Sequence, residues 1–257
     1  MASLIKAKPD GDRHACGANL VSPTYVVTVA HCVTNPDGSL EDHTRMRVRI
    51  GSASWRSGGQ VSAVAGVEVF PGWDGDALRP PQPHADLALL RLATAVADVT
   101  PFPLASHAGM AVSTRVVGWG VQVDDRCAVL PDGAEPPAQV LHELDGVTAP
   151  AQRCAAVWIT DGELCVQFDR QATCGGDSGS PVLQKIDGRW QLVGVMSHAY
   201  GLVPRCERAV PAVAATDLTN PHYRAWIIRI ACAPTPADPD PCRPPAGRQS
   251  SPDGGFE

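Results

Sequence analysis

Ser178 stands in the run Cys174-Gly175-Gly176-Asp177-Ser178-Gly179-Ser180-Pro181. A serine hydroxyl is a weak nucleophile at neutral pH and becomes a strong one when a neighbouring base takes its proton. Acyl transfer also needs donors aimed at the oxygen that turns negative. Gly176 and Ser178 could supply two backbone N–H groups from one tight turn, and glycine leaves the approach open. A Gly-Ser turn tied by a disulfide would read the same way. What separates the two is whether a histidine and a buried carboxylate stand elsewhere in the chain.

Two stretches offer them. Thr28-Val29-Ala30-His31-Cys32 puts a histidine at the end of an apolar strand, beside a cysteine that can pin it. His84-Ala85-Asp86-Leu87-Ala88-Leu89-Leu90-Arg91-Leu92 puts an aspartate just ahead of an apolar strand, where it can be buried and still hydrogen-bonded. Such a carboxylate would hold the imidazole in the useful tautomer and stabilise the imidazolium. Singly, the histidine reads as structural and the aspartate as a cap; together with Ser178 they read as a nucleophile, a base and an orienting acid.

The elements that must carry these residues are strands. Short β-branched runs separated by Gly, Pro and Asp are expected at 3–8, His14–Val21, Tyr25–Ala30, Met46–Ile50, Val61–Phe70 and Leu87–Leu92. More follow at Ser113–Val117, Gln139–Val147, Trp190–Ser197 and Pro211–Ala215. Many short strands without helical periodicity mean an all-β barrel or sandwich. One helix is expected at His222–Ile230, started by Asn220-Pro221. Beyond Cys232 the chain turns proline-rich, and residues 232–257 read as a disordered or extended tail. No internal repeat is visible.

Composition narrows the function classes. Hydrophobic residues are 44% and charged residues 19% of 257 residues, which is ordinary for a globular chain. With a net charge of −6, nothing suggests a nucleic-acid or polyanion partner. No apolar run reaches membrane-spanning length. Nine cysteines fit an oxidising compartment and lack zinc-finger spacing, so neither a metal nor another cofactor is assigned. Acids such as Asp74 and Asp76 near glycine read as solvated. Arginine outnumbers lysine 18 to 3, with much Ala, Gly and Pro, which suggests GC-rich coding and a bacterial source.

Cys16-Gly17-Ala18-Asn19-Leu20-Val21, Thr28–Cys32, Asp86–Leu90, Gly118-Trp119-Gly120 and Cys174–Pro181 together resemble the trypsin/chymotrypsin family of serine proteases, over roughly residues 1–231. The order His, Asp, Ser is that family's and not that of the α/β-hydrolases. The resemblance implies two packed antiparallel six-stranded Greek-key barrels, one over about 1–108 and one over about 109–217. A C-terminal helix over about 218–231 and the tail would follow. It implies that Ser178 attacks the scissile carbonyl, that His31 shuttles the proton and that Asp86 orients His31. Gly176 and Ser178 would form the oxyanion hole. Val195–Ala199 would pair with substrate backbone, and Ser197 would bond Asp86. The expected activity is endopeptidase, with the acyl group carried on Ser178. A homologue that only binds partners, or a zymogen-like one, is the alternative.

The family's primary pocket would be built here from Ala172, Thr173, Ser197, His198, Ala199 and Ala212. Ala172 stands where an aspartate would bind Arg or Lys. Ala199 and Ala212 stand where pocket walls carry glycine, and Ala212 follows Pro211. The slot is therefore expected to prefer small or medium aliphatic side chains, unless the residues between Ala199 and Cys206 shift this alignment. Resemblance pairs Cys16–Cys32, Cys154–Cys165 and Cys174–Cys206. Cys232–Cys242 could close a loop in the tail. Cys127 is then left as a free thiol, an intermolecular bridge, or one half of a pair whose partner is elsewhere.

The family's activating Ile/Val-Val-Gly-Gly segment and an export signal are both expected upstream of Met1, in a longer secreted precursor. With that segment missing, Asp177 is expected to turn towards His14 and Ser3 in a zymogen-like arrangement; His14 could equally be a surface residue. Protein or peptide substrates and protease inhibitors are the expected partners of a monomer, with no nucleic acid or membrane.

Overall fold

The structure is a computed structural model that describes residues 1–75, 85–121, 138–169, 173, 175–199, 212–234 and 242. Among the described residues, twelve strands form two closed antiparallel barrels. The first holds β1 (Ala2–Lys8), β2 (Gly11–Ser22), β3 (Tyr25–Thr28), β4 (Met46–Ile50), β5 (Gln60–Val69) and β6 (Ala88–Leu92). The second holds β7 (Ser113–Gly118), β8 (His142–Ala149), β9 (Glu163–Gln167), β10 (Pro181–Ile186), β11 (Arg189–His198) and β12 (Ala212–Asp217). The order around the first barrel is β1-β2-β3-β6-β5-β4, and the second repeats it as β7-β8-β9-β12-β11-β10. The duplication is thus in topology alone, because inward-outward alternation can be met by many sequences.

Each barrel is filled by its inward residues. Leu4, Leu20, Val26, Val48, Ile50 and Leu90 are fully or almost fully buried in the first. Val116, Val166, Val182, Val193 and Val213 fill the second. Leu183, Leu192 and Val195 of the second barrel join the first barrel's core, so one apolar layer runs between them. The helix α1 (Pro221–Ala231) begins with the Asn220 side chain accepting from the His222 N–H and with Pro221 in the first turn. It buries Tyr223, Trp226, Ile227 and Ala231. Tyr223 and Trp226 pack edge-on against Phe70 of the first barrel, at 4.8 and 5.3 Å between ring centres. The helix that follows the second barrel thereby clasps the first.

Among the described residues, three disulfides join Cys16 to Cys32, Cys154 to Cys165 and Cys232 to Cys242. The expected Cys174–Cys206 pair, Cys127, Asp76 and nearly all of the tail lie outside the described residues. The Cys16–Cys32 bridge spans 16 residues and ties β2 to the turn bearing His31. Replacing both cysteines by serine is expected to cost about 3 kcal/mol of stability, read from urea unfolding.

Candidate active site

The strand register brings His31 to Asp86. In the β3–β6 ladder Thr28 lies opposite Ala88. His31 follows Thr28 by three residues and Asp86 precedes Ala88 by two, so both project from the same end of that ladder. A short 3-10 turn, Ala30–Cys32, then carries the imidazole to the carboxylate. Asp86 Oδ1 accepts the His31 backbone N–H at 2.9 Å, and Oδ2 lies 2.8 Å from His31 Nδ1. The Ser197 hydroxyl donates to Oδ2 at 2.6 Å. The Asp86 carbonyl accepts from Thr216 Oγ1 at 2.8 Å. The second barrel therefore holds Asp86 by its carboxylate from β11 and by its backbone carbonyl from β12.

Asp86 is fully buried. Burial pushes its pKa up, but the charge and hydrogen bonds of His31, with the bond from Ser197, outweigh this and hold it below the ordinary carboxylate value. Burial likewise pushes the His31 pKa down. The charge and hydrogen bond of Asp86 reverse that and leave it above the ordinary histidine value, with Lys6 opposing. The result is an ionised acid beside a base that takes up a proton readily.

Ser178 sits in a turn closed by the Ser180 N–H to the Asp177 carbonyl, at 2.9 Å. The turn is seated on the first barrel. Gly17 N–H donates to the Ser178 carbonyl at 2.7 Å, and Asn19 Nδ2 donates to the Gly179 carbonyl at 2.9 Å. Gly179 has φ +76°, and a Cβ there would lie 2.2 Å from the Gly17 carbonyl oxygen and 2.4 Å from Thr28 Oγ1. Only glycine lets these two backbones meet. The strand that seats the nucleophile turn is thus the neighbour of β3, which ends three residues before His31.

Two peptide planes beside Ser178 are fixed by their carbonyls. The Gly175 carbonyl accepts from Val121 N–H at 2.8 Å, and the Asp177 carbonyl accepts from Ser180 N–H. In a trans peptide the N–H points opposite to the C=O. The N–H groups of Gly176 and Ser178 are therefore aimed away from those two contacts. Gly176 adopts φ +95°, and its own carbonyl meets His14 Nε2 at 2.9 Å. His14 Nε2 must carry the hydrogen there, because a carbonyl only accepts. Nδ1 then accepts from the Ser3 hydroxyl at 2.7 Å. Burial lowers the His14 pKa to about 4 despite the Gly176 bond, which keeps the ring neutral.

This corrects the expectation for Asp177. His14 is buried, not a surface residue, and spends its ring nitrogens on Ser3 and the Gly176 carbonyl. Asp177 Oδ1 accepts instead from Gly120 N–H at 2.9 Å. A Cβ on Gly118 or Gly120 would fall 2.1 or 2.0 Å from an Asp177 carboxylate oxygen. Both glycines of the Gly-Trp-Gly motif are small because this carboxylate lies against them.

A family model for trypsin matches residues 1–227. The chain belongs to the trypsin family. Trypsin from Sarcophaga bullata is 28% identical over 228 residues, covering 85% of this chain and 79% of that protein. Trypsin alpha from Drosophila melanogaster is 25% identical over 227 residues, with 85% and 78% covered. Trypsin alpha-4 from Lucilia cuprina is 30% identical over 230 residues, again with 85% and 78% covered. These relatives are fly proteins, so the bacterial source suggested by composition gains no support from them. The chain is accordingly a serine protease of this family, with protein as the family's substrate.

Of the residues expected to line this trypsin-family chain's pocket, Ser197, His198 and Ala199 follow one another at the end of β11, where His198 pairs with Ala214 of β12. Thr173, Ser197 and His198 are buried, and Ala199 packs partly buried on the second barrel's core. Ala212 is buried against the Cys154–Cys165 bridge, with Ala149 and Val157. Ala172 lies outside the described residues. Among the described residues, no helix is long and apolar enough to cross a membrane.

Sequence reading missed three features of this site. Gly17 and Asn19 stand in a motif that gives no sign that they seat the nucleophile turn. The bulge in β11 was also missed. The β11–β12 register shifts between Met196 and His198, which re-aims Ser197 at Asp86. Finally, Glu163 gave no signal at all, and it stands 3.4 Å from His198.

Proposed function

We propose that this chain is a serine endopeptidase in which Ser178 attacks the scissile carbonyl, His31 Nε2 takes and returns the proton, and Asp86 orients His31. The N–H groups of Gly176 and Ser178 would stabilise the oxyanion. The observation that carries this reading is the doubly gripped Asp86, bonded to both nitrogens of His31 that face it, beside a serine turn seated on the same barrel. The peptidase domain would span 1–231, followed by the tail at 232–257. A secreted monomer acting on proteins or peptides, and open to protease inhibitors, fits the disulfides. Although the relatives are named trypsins, Ala172, Ala199 and Ala212 support cleavage after small or medium aliphatic residues.

A fluorophosphonate and a panel of peptides test this together. The reagent is expected to label Ser178 alone. Peptides with Ala or Leu before the cut are expected to exceed those with Phe or Arg by about tenfold or more in kcat/KM. Best turnover on Arg would reject the pocket assignment. An unlabelled Ser178 would favour a non-catalytic homologue that binds partners through the same cleft.

The pH profile follows from His31. The base must be neutral to accept the Ser178 proton, and its pKa is raised. Activity should therefore fall with acid through a midpoint above the ordinary value of about 6.5. A midpoint clearly below that would contradict the Asp86–His31 coupling.

A further inference from the structure

Residues 43–67 hold four arginines, Arg45, Arg47, Arg49 and Arg56, and neither Asp nor Glu. The chain's net charge of −6 hides this local excess. Arg47 and Arg49 project outwards from β4, whose Met46, Val48 and Ile50 are buried. Arg45 ends the 3-10 turn His43–Arg45 just ahead of that strand and extends the same alternation by one step. Successive members of the row are about 6.6 Å apart along the chain. On the adjacent β5, Val61 lies opposite Arg49 and Ala63 opposite Arg47, and both are exposed. The row begins close to the active site. Lys6 of β1 pairs across from Met46, and its charge is near enough to oppose the protonation of His31.

Carbonyls and an aromatic ring, not carboxylates, hold three of these guanidiniums. Arg45 Nη2 donates to the Ala7 carbonyl of β1 at 3.2 Å. Arg49 Nε donates to the Trp55 carbonyl at 2.8 Å, and its Nη1 donates to that of Gly58. Arg56 lies over the Trp55 ring, 4.7 Å from its centre. Arg49 thereby ties down the loop that presents Arg56. Among the described residues, only Arg47 of the four is ion-paired, to Asp12. The acids nearby are engaged locally: Asp10 with Arg13, Glu41 with Lys6, and Asp42 as acceptor from the Thr44 N–H and hydroxyl. A carbonyl leaves a guanidinium its whole charge, and Arg45 and Arg49 each keep unused N–H donors. Groups already pinned in this way lose little freedom when an anion arrives.

We propose that this face of β4 and β5 is a docking surface for an extended, acidic segment of a protein substrate. That the docked protein is a substrate rests on the peptidase reading given above. An extended peptide turns alternate side chains to one side, at the same repeat of about 6.6 Å as the arginine row. Carboxylates at every second residue of the segment thus meet successive guanidiniums, whose forked donors match a carboxylate two bonds at a time. Val61 and Ala63 beside the row give apolar contact to the methylenes of Glu side chains. Asp12 stands within the row and disfavours a polymer charged at every unit, which separates an acidic peptide from a nucleic acid.

The whole chain carrying Ser178→Ala tests the surface without catalysis, by fluorescence anisotropy of a labelled peptide that alternates Glu and Thr over about ten residues. Binding is expected, and R45Q and R56Q should each weaken it about threefold to tenfold. Raising salt from about 0.05 to about 0.5 M should weaken it about tenfold. A peptide of the same composition with its Glu residues in one block should bind about threefold more weakly. Affinity unchanged in both variants, equal affinity for the two peptides, or tighter binding of an oligothymidylate of equal charge would overturn the proposal. Both arginines are exposed, so thermal unfolding of the variants should match the unmodified chain. In the catalytically intact chain, a peptide substrate extended by the Glu-Thr segment at its amino or its carboxyl end should gain about fivefold in kcat/KM, through KM. The gain should vanish in R45Q/R56Q, while the unextended substrate is cut as before. No gain from either extension would overturn the assignment to a substrate. If fluorophosphonate never labels Ser178, the peptidase reading fails and that assignment falls with it, and the anisotropy alone judges the surface.

Discussion

Ser178→Ala is expected to lower kcat by about 10⁶-fold, the scale of loss when the nucleophile of a Ser-His-Asp unit is removed. The loss should be confined to chemistry. What seats the Ser178 turn is backbone: the Gly17 N–H on the Ser178 carbonyl, and the Ser180 N–H on that of Asp177. The hydroxyl takes no part in either. Thermal unfolding and substrate binding should therefore match the unmodified chain, while fluorophosphonate labelling disappears. The His31 pKa should keep its elevation, since Asp86 and not Ser178 supplies it. A variant retaining more than about a thousandth of the activity would mean that another group is the nucleophile, because residual catalysis by binding and the oxyanion donors is much smaller than the full effect.

Much of this arrangement was legible before any coordinates, and the reasons are local. His31 and Asp86 each abut an apolar β-branched or leucine-rich run, and those runs became β3 and β6 with nearly the expected limits. Two strands escaped. β10 begins on Pro181, which reads as a breaker, and turns inward a Gln184 that is 1% exposed. Its amide is satisfied by the Gly109 backbone, Thr114 and Thr148, so a polar residue occupies a core position and hides the alternation. β9 is short and begins on Glu163, which reads as solvent-facing although its side chain is buried. The first barrel's histidine at position 14 was equally ambiguous, since only the fold reveals that Ser3 and the Gly176 carbonyl enclose it. The motifs thus disclose the pairing of His31 with Asp86, while long-range partners of buried polar groups depend on register and on bulges that composition does not encode.

Asp86→Asn should be the second-largest loss, about 10⁴-fold in kcat, through tautomer and not through shape. In the native site Oδ1 accepts the His31 backbone N–H, while Oδ2 accepts from His31 Nδ1 and Ser197 Oγ. Asparagine can keep its carbonyl on the backbone N–H. Its amide nitrogen then takes the place of Oδ2 and donates to His31 Nδ1. The imidazole hydrogen is driven to Nε2, which no longer accepts a proton from Ser178. The variant should also lose the elevation of the His31 pKa, since the Asp86 charge that overcame burial is gone. The acid limb of the pH profile should consequently move to lower pH even as the plateau falls. These two effects have separate signs and separate readouts. A uniform loss with an unmoved acid limb would point to misfolding around the site. Activity within tenfold of the unmodified chain would remove Asp86 from the triad, and with it the reason the second barrel reaches across to hold this residue by its carboxylate from β11 and by its backbone carbonyl from β12.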